Sequence, residues 1–214
     1  MLVTITMEFL SLLFLTVIFC SFLIRSKNST NESVFFFRMI AVTMISLILE
    51  IIATFTIAYR DQVSVLNMIV NRMYLTTIPI IMLQISDFII FLYNDELKVN
   101  EKKGIILRRI LDISCLLVIL VDLFLPMYFA NNSFGDRFGV YADGLAVTVA
   151  ISYGIILFFI DFISCIRYRN YYLKQKVLCL IFYFLLLAGG IIARLVIPGI
   201  TTICCEVTLI CILI

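Results

Sequence analysis

The polar residues of this chain gather into a few short segments, and the apolar runs that separate them are mostly twenty residues or longer. Such a run, coiled as a helix, is long enough to cross the hydrocarbon core of a bilayer, and only helices or closed barrels satisfy their backbone hydrogen bonds there. The pattern predicts an all-α, polytopic membrane helix bundle forming one domain over residues 1–214. With 64% hydrophobic and 14% charged residues, an ordinary water-soluble domain is excluded.

Met1 to Ile24 reads as the first span, with no basic flank or small-residue cleavage site to suggest a removable leader. A polar loop, Arg25 to Ser33, leads to helix two, Val34 to Tyr59. Arg60 to Ser64 connects it to helix three, Val65 to Tyr93. Asn94 to Arg109 is the most charged segment and reads as loop, followed by helix four from Ile110 to Phe129. Ala130 to Gly139 has the Asn, Gly and Ser content of a turn, and helix five runs from Val140 to Ile166. Helix six covers Val177 to Ile197 and ends at Pro198-Gly199, which reads as a reversal. Ile200 to Ile214 begins a seventh helix that is cut short of the roughly 20 residues a span needs. The expectation is therefore six complete transmembrane helices plus a shortened seventh, in the N-terminal part of a longer chain.

Orientation follows from the basic residues. Arg25, Lys27, Arg38, Lys98, Lys102, Lys103, Arg108, Arg109, Arg167, Arg169, Lys174 and Lys176 flank one side, against Arg60 and Arg137 on the other. The positive-inside rule then puts the N-terminus outside and the C-terminus in the cytoplasm of a multi-pass cell-membrane protein. Tyrosines at the predicted boundaries, Tyr59, Tyr93, Tyr128, Tyr141, Tyr168, Tyr171 and Tyr172, agree with these spans; there is no Trp.

The chain has no His, which removes His-ligated haem, His-containing zinc sites, a Ser-His dyad and a phospho-accepting His. No HExxH or Gly-x-Gly-Asp motif is present, so no catalytic residues, metal site or cofactor are expected; Asp87 with Asp161 would form a dyad by accident of packing only. The seven cysteines lie in apolar segments and read as small buried hydrophobes. A net charge of +2, carried in short loops, argues against a nucleic-acid partner.

Charged groups inside spans are costly and call for an explanation. At a rise of about 1.5 Å per residue, Arg72, Glu50, Asp122 and Glu206 lie within about 9–14 Å of the outer boundary. Two readings stand side by side. In one, Arg72 anchors a ligand in an outward-open pocket with Asn67, Asn71, Glu50, Asp122 and Glu206 around it; in the other, these residues form an interhelical ion-pair network that only fixes packing. Arg194 is close enough to the surface to snorkel. Gln84, Asp87, Asp112 and Asp161 lie near the cytoplasmic end, where the carboxylates are expected to cap or pair with the basic loops, with an ion path as the alternative. Gly144, Thr148 and Ser152, and Gly189 with Ala193, make small-residue stripes for close helix packing.

LILEI (Leu47 to Ile51), IVNRMYL (Ile69 to Leu75), the Tyr141-Ala-Asp-Gly start of helix five and the Pro198-Gly199 turn together resemble the seven-helix input regions of bacterial sensor histidine kinases and GGDEF diguanylate cyclases. The resemblance implies a sensory domain for signal transduction, commonly a homodimer, that relays an extracellular or membrane-borne ligand to a cytoplasmic output domain. The competing class is a small multi-pass transporter or channel subunit, for which broken helices at matching positions would be the sign; Pro79 is mid-helix and Pro126 near an end.

Overall fold

The computed structural model describes residues 2–25, 31–59, 61–97, 101–131 and 140–168, together with residues 181, 184, 185, 188, 189 and 192. Among the described residues the elements are five helices and one hairpin: α1 (Leu2–Arg25), α2 (Asn31–Ala58), α3 (Ser64–Leu97), α4 (Glu101–Phe124), β1 (Tyr128–Asn131), β2 (Val140–Asp143) and α5 (Leu145–Tyr168).

Successive helices run antiparallel, and the cross-contacts fix their level. Phe19 meets Phe37, Ser46 meets Thr77, Phe35 meets Phe91, and Arg72 reaches the last turn of α4. Helix α3 is the hub: it packs on α2, α4 and α5, whereas α1 leans mainly on α2. Its apolar residues Leu75, Ile78, Ile81, Met82, Ile85 and Ile89 are all buried in the shared core, and Pro79 lies within it without ending the helix.

The expected set of six complete spans and a shortened seventh does not hold. Among the described residues three helical segments are long and apolar enough to cross a membrane: Val34–Ala58, Ser64–Phe91 and Leu145–Arg167. The apolar part of α1, Glu8–Ile24, is about 25 Å long, short of the roughly 30 Å of a hydrocarbon core. Helix α4 begins in the charged segment read as loop, so it carries Arg108, Arg109 and Asp112 as well as Asp122. The expected helices at 177–197 and 200–214 lie outside the described residues, apart from the six single positions, which are helical.

A second correction concerns the connection between α4 and α5. Helix α4 stops at Phe124, two residues before Pro126, and not at Phe129; Tyr128–Asn131 and Val140–Asp143 pair as an antiparallel hairpin, with Tyr128 opposite Asp143. Gly144, expected to sit in a packing stripe of helix five, is the corner between β2 and α5. Its φ is +121°, and a Cβ there would lie 2.7 Å from the Pro126 carbonyl oxygen. Glycine is required by that close approach and by a backbone angle L-residues avoid.

Large apolar side chains remain exposed in rows one helical turn apart, such as Leu10, Phe14 and Val17 on α1, Leu116, Leu120 and Phe124 on α4, and Ile156, Phe159 and Ile163 on α5. Apolar surface this extensive is what a membrane or a partner covers, not water.

Candidate functional site

Most hydroxyls in the apolar helices are satisfied within their own helix: Thr43 donates to the Met39 carbonyl, Thr54 to Glu50, Thr56 to Ala53 and Ser164 to Ile160. This back-bonding is how Ser and Thr sit in apolar helices without a partner elsewhere. The groups that need explaining are the buried amides and charges.

The residues singled out from the sequence do not form one pocket. Each helical residue advances about 100° around the axis, so Asn67, Asn71 and Tyr74 share a face of α3, and Arg72 points about 160° away from Tyr74. The Asn-Tyr face meets α2. There Asn71 Nδ2 donates to both the carbonyl and Oδ1 of Asn67, at 2.8 Å each, and both residues are buried. Tyr74 Oη donates to Glu50 Oε1 at 3.1 Å. One turn further, Thr77 Oγ1 donates to the Tyr74 carbonyl at 2.6 Å, which leaves Ser46 Oγ to donate to Thr77 across the interface at 2.6 Å.

Arg72 faces α4 instead. Its Nη1 donates to the carbonyls of Asp122 (2.7 Å) and Leu123 (2.9 Å), and Nη2 to that of Leu125 (2.9 Å). The last carbonyls of a helix have no intrahelical partner and carry the negative end of its dipole, so a guanidinium there is a helix cap. The Asp122 carboxyl is buried, and neither of its oxygens accepts a hydrogen bond from a described residue. Glu206, the remaining expected member, lies outside the described residues.

Glu8 of α1 is not among the residues that the sequence singles out. It is 0% exposed, neither oxygen accepts a hydrogen bond from a described residue, and its carboxyl is within electrostatic reach of Glu50. The depth argument that selected Glu50 and Arg72 would have selected Glu8 as well, since it too lies about 10 Å from its helix end. The site that the structure assembles is therefore acidic: Glu8 on α1, Glu50 on α2, and Tyr74, Asn67 and Asn71 on α3.

At the opposite end of the bundle the buried acids have partners. Asp87 Oδ2 pairs with Arg108 at 3.1 Å, and the Arg108 guanidinium lies 5.3 Å from the ring centre of Phe35. Asp161 Oδ2 accepts from Ser86 at 2.8 Å. Ser114 and Tyr153 join α4 to α5 through their hydroxyls at 2.9 Å. Asp87 and Asp161 thus serve separate contacts and form no dyad. Among the described residues no three Asp, Glu or Cys side chains converge to hold a metal ion.

No family model matches the chain, and no curated protein or solved structure does so either.

Proposed function

We propose that this chain is a membrane-embedded sensory domain whose ligand site is the buried acidic face shared by α1, α2 and α3. In this reading the bundle is multi-pass, its N-terminus outside, and ligand binding shifts α1 and α2 against α3 to inform a cytoplasmic output partner. The observation that carries the reading is Glu8, a fully buried carboxyl neither of whose oxygens accepts a hydrogen bond from a described residue. Arg72, the cation expected to anchor the site, is committed to the end of α4. The resemblance to bacterial sensor input regions supports the same reading.

Transport is the second reading, favoured by buried acids at both ends of α3: Glu8 and Glu50 at one, Asp87 and Asp161 at the other. Reconstitution separates the two. Liposomes holding the full chain and an entrapped pH-sensitive dye, challenged with proton, Na+ or K+ gradients, are expected to leak no faster than empty liposomes. Sustained flux that disappears in Glu50→Gln would replace the sensory reading with transport.

A further inference from the structure

On the side of the bundle away from α1, a groove runs between α2 and α4 with α3 as its floor. On α2, Arg38, Ile45 and Ile52 recur every seventh residue, so they share one flank of the helix, and all three are exposed. Helix α1 takes the other flank, through Phe36 and Phe37. On α3, Thr77 meets α2 and Arg72 meets α4. Ile69 and Met73 lie on the strip between those two contacts and are exposed as well. Leu116 and Leu123 of α4 form the opposite wall.

At the end away from the hairpin, an arginine bridges the two walls. The Arg108 guanidinium of α4 reaches across to α2, 5.3 Å from the centre of the Phe35 ring, while its Nη2 holds Asp87 at 3.1 Å. That bond uses one of five N–H donors, and no other acceptor among the described residues takes the rest. Arg38 stands one turn from Phe35 on the same face of α2, and so beside the bridge. It is exposed, and no described residue pairs with it. The carboxylates on this side are Asp87, already engaged, and Asp112, which faces the groove one turn further along α4. An apolar trough with two guanidinium groups at one end, both with donors to spare, matches a molecule with an anionic head and a hydrocarbon tail. A soluble anion would leave the trough bare, and a neutral lipid would leave the arginines unmatched. The planar fork of arginine suits phosphate oxygens in particular, and basic side chains at a membrane surface attract acidic lipids.

We propose that the groove between α2 and α4 seats one anionic phospholipid, its phosphate on Arg38 and Arg108 and an acyl chain along Ile45, Met73 and Leu116. The head ties α2 to α4 at one end, and the chain covers the strip of α3 that those helices leave bare. The inference rests on the membrane-embedded part of the proposed function, and holds whether the domain senses or transports.

The test is contact quenching in liposomes. The chain has no tryptophan, so Ile45→Trp puts a single emitter on the α2 wall, about 10 Å along the helix from Arg38. The full chain is reconstituted in phosphatidylcholine, a rising fraction of which is replaced by phosphatidylglycerol or phosphatidylcholine brominated at mid-chain. Half-quenching is expected at a mole fraction of the glycerol lipid about tenfold or more below that of the choline lipid. Arg38→Gln and Arg108→Gln are each expected to bring the two curves together. Arg38→Gln leaves the Asp87 pair intact, so it reads the head site without disturbing the fold. Asp112→Asn, which removes a negative charge facing the groove, is expected to widen the preference. Arg167→Gln, at the same end of the bundle but on α5, is expected to leave it unchanged. Equal quenching by both lipids, or a preference that survives Arg38→Gln and Arg108→Gln, would overturn the site. A preference lost equally in Arg167→Gln would replace it with diffuse surface charge, and one abolished by millimolar inorganic phosphate would replace it with a free-anion site. Quenching by neither lipid would mean that protein fills the groove. Each of these outcomes, in a chain that stays inserted, defeats the lipid site alone. A chain that alkaline carbonate strips from the liposomes would defeat the membrane reading, and the lipid site with it.

Discussion

Arg72 holds Asp122 by its main-chain carbonyl, at 2.7 Å, and not by its carboxylate. Two residues of opposite sign at matching depth thus meet as a helix cap. The charge on the arginine is spent on the end of α4, and the acidic side chain beside it contributes nothing to the bond.

Arg72→Ala should therefore act on stability. It removes three hydrogen bonds from a charged donor and leaves part-buried carbonyls unsatisfied, a loss of about 2–3 kcal/mol after allowing for non-additivity. A lowered Tm in detergent, followed by helical circular dichroism, is the expected result. An unchanged Tm would show that the cap does not contribute to folding.

Gly144→Ala and Gly154→Ala should part in sign. At Gly144 the added carbon meets the Pro126 carbonyl oxygen at 2.7 Å on a backbone with φ of +121°, and a cost of at least about 1–3 kcal/mol is expected from the backbone alone. At Gly154, within α5, it meets only flexible Met82 side-chain atoms at 3.5 Å, and replacing a mid-helix glycine should add about 0.5–1 kcal/mol. Paired thermal melts check both, and a stabilised Gly144→Ala would mean that the corner is not as tight as described.

Removing the ring hydroxyl of Tyr74 strips Glu50 of a hydrogen bond inside the α2–α3 interface. Tyr74→Phe is expected to cost about 1–3 kcal/mol in chemical unfolding, and the cost should vanish in a Glu50→Gln background only if the carboxylate charge, not its oxygen, is what the hydroxyl supports.

At the other end, Arg108→Ala leaves a 98% covered carboxylate at Asp87 without its partner. Arg108→Ala should destabilise more than the double variant Asp87→Asn with Arg108→Ala, giving a coupling of about 0.5–3 kcal/mol in a double-mutant cycle. Additive losses would mean that the pair is incidental.

Much of the helical content was legible because apolar runs bounded by polar clusters leave few alternatives: α1, α2, α3 and α5 lie close to where the sequence puts them. Helix α4 was misplaced at both ends for two different reasons. Its first turns carry Glu101, Lys102, Lys103, Arg108 and Arg109, and charge density reads as loop even where the backbone is helical. Its far end was extended through Tyr128 and Phe129, aromatic residues equally at home in a strand; the breaker at Pro126 was the available signal. For the site, matching depth was used without angular position. Depth grouped Arg72 with Glu50, whereas rotation about α3 puts them on different interfaces, and the same depth measure applied to α1 would have brought in Glu8.

The two ends of the bundle are fastened by different physics. At the hairpin end, α3, α4 and α5 are laced through main-chain carbonyls: Arg72 to the last turn of α4, and the Ala146 amide to the Pro126 oxygen. At the other end, among the described residues, an ion pair whose arginine is 40% exposed spans α3 and α4. Dissolved salt weakens a half-exposed ion pair far more than a backbone lacing. Raising ionic strength thus loosens this assembly from one pole, like a fan held at its rivet, and the hairpin end is the rivet.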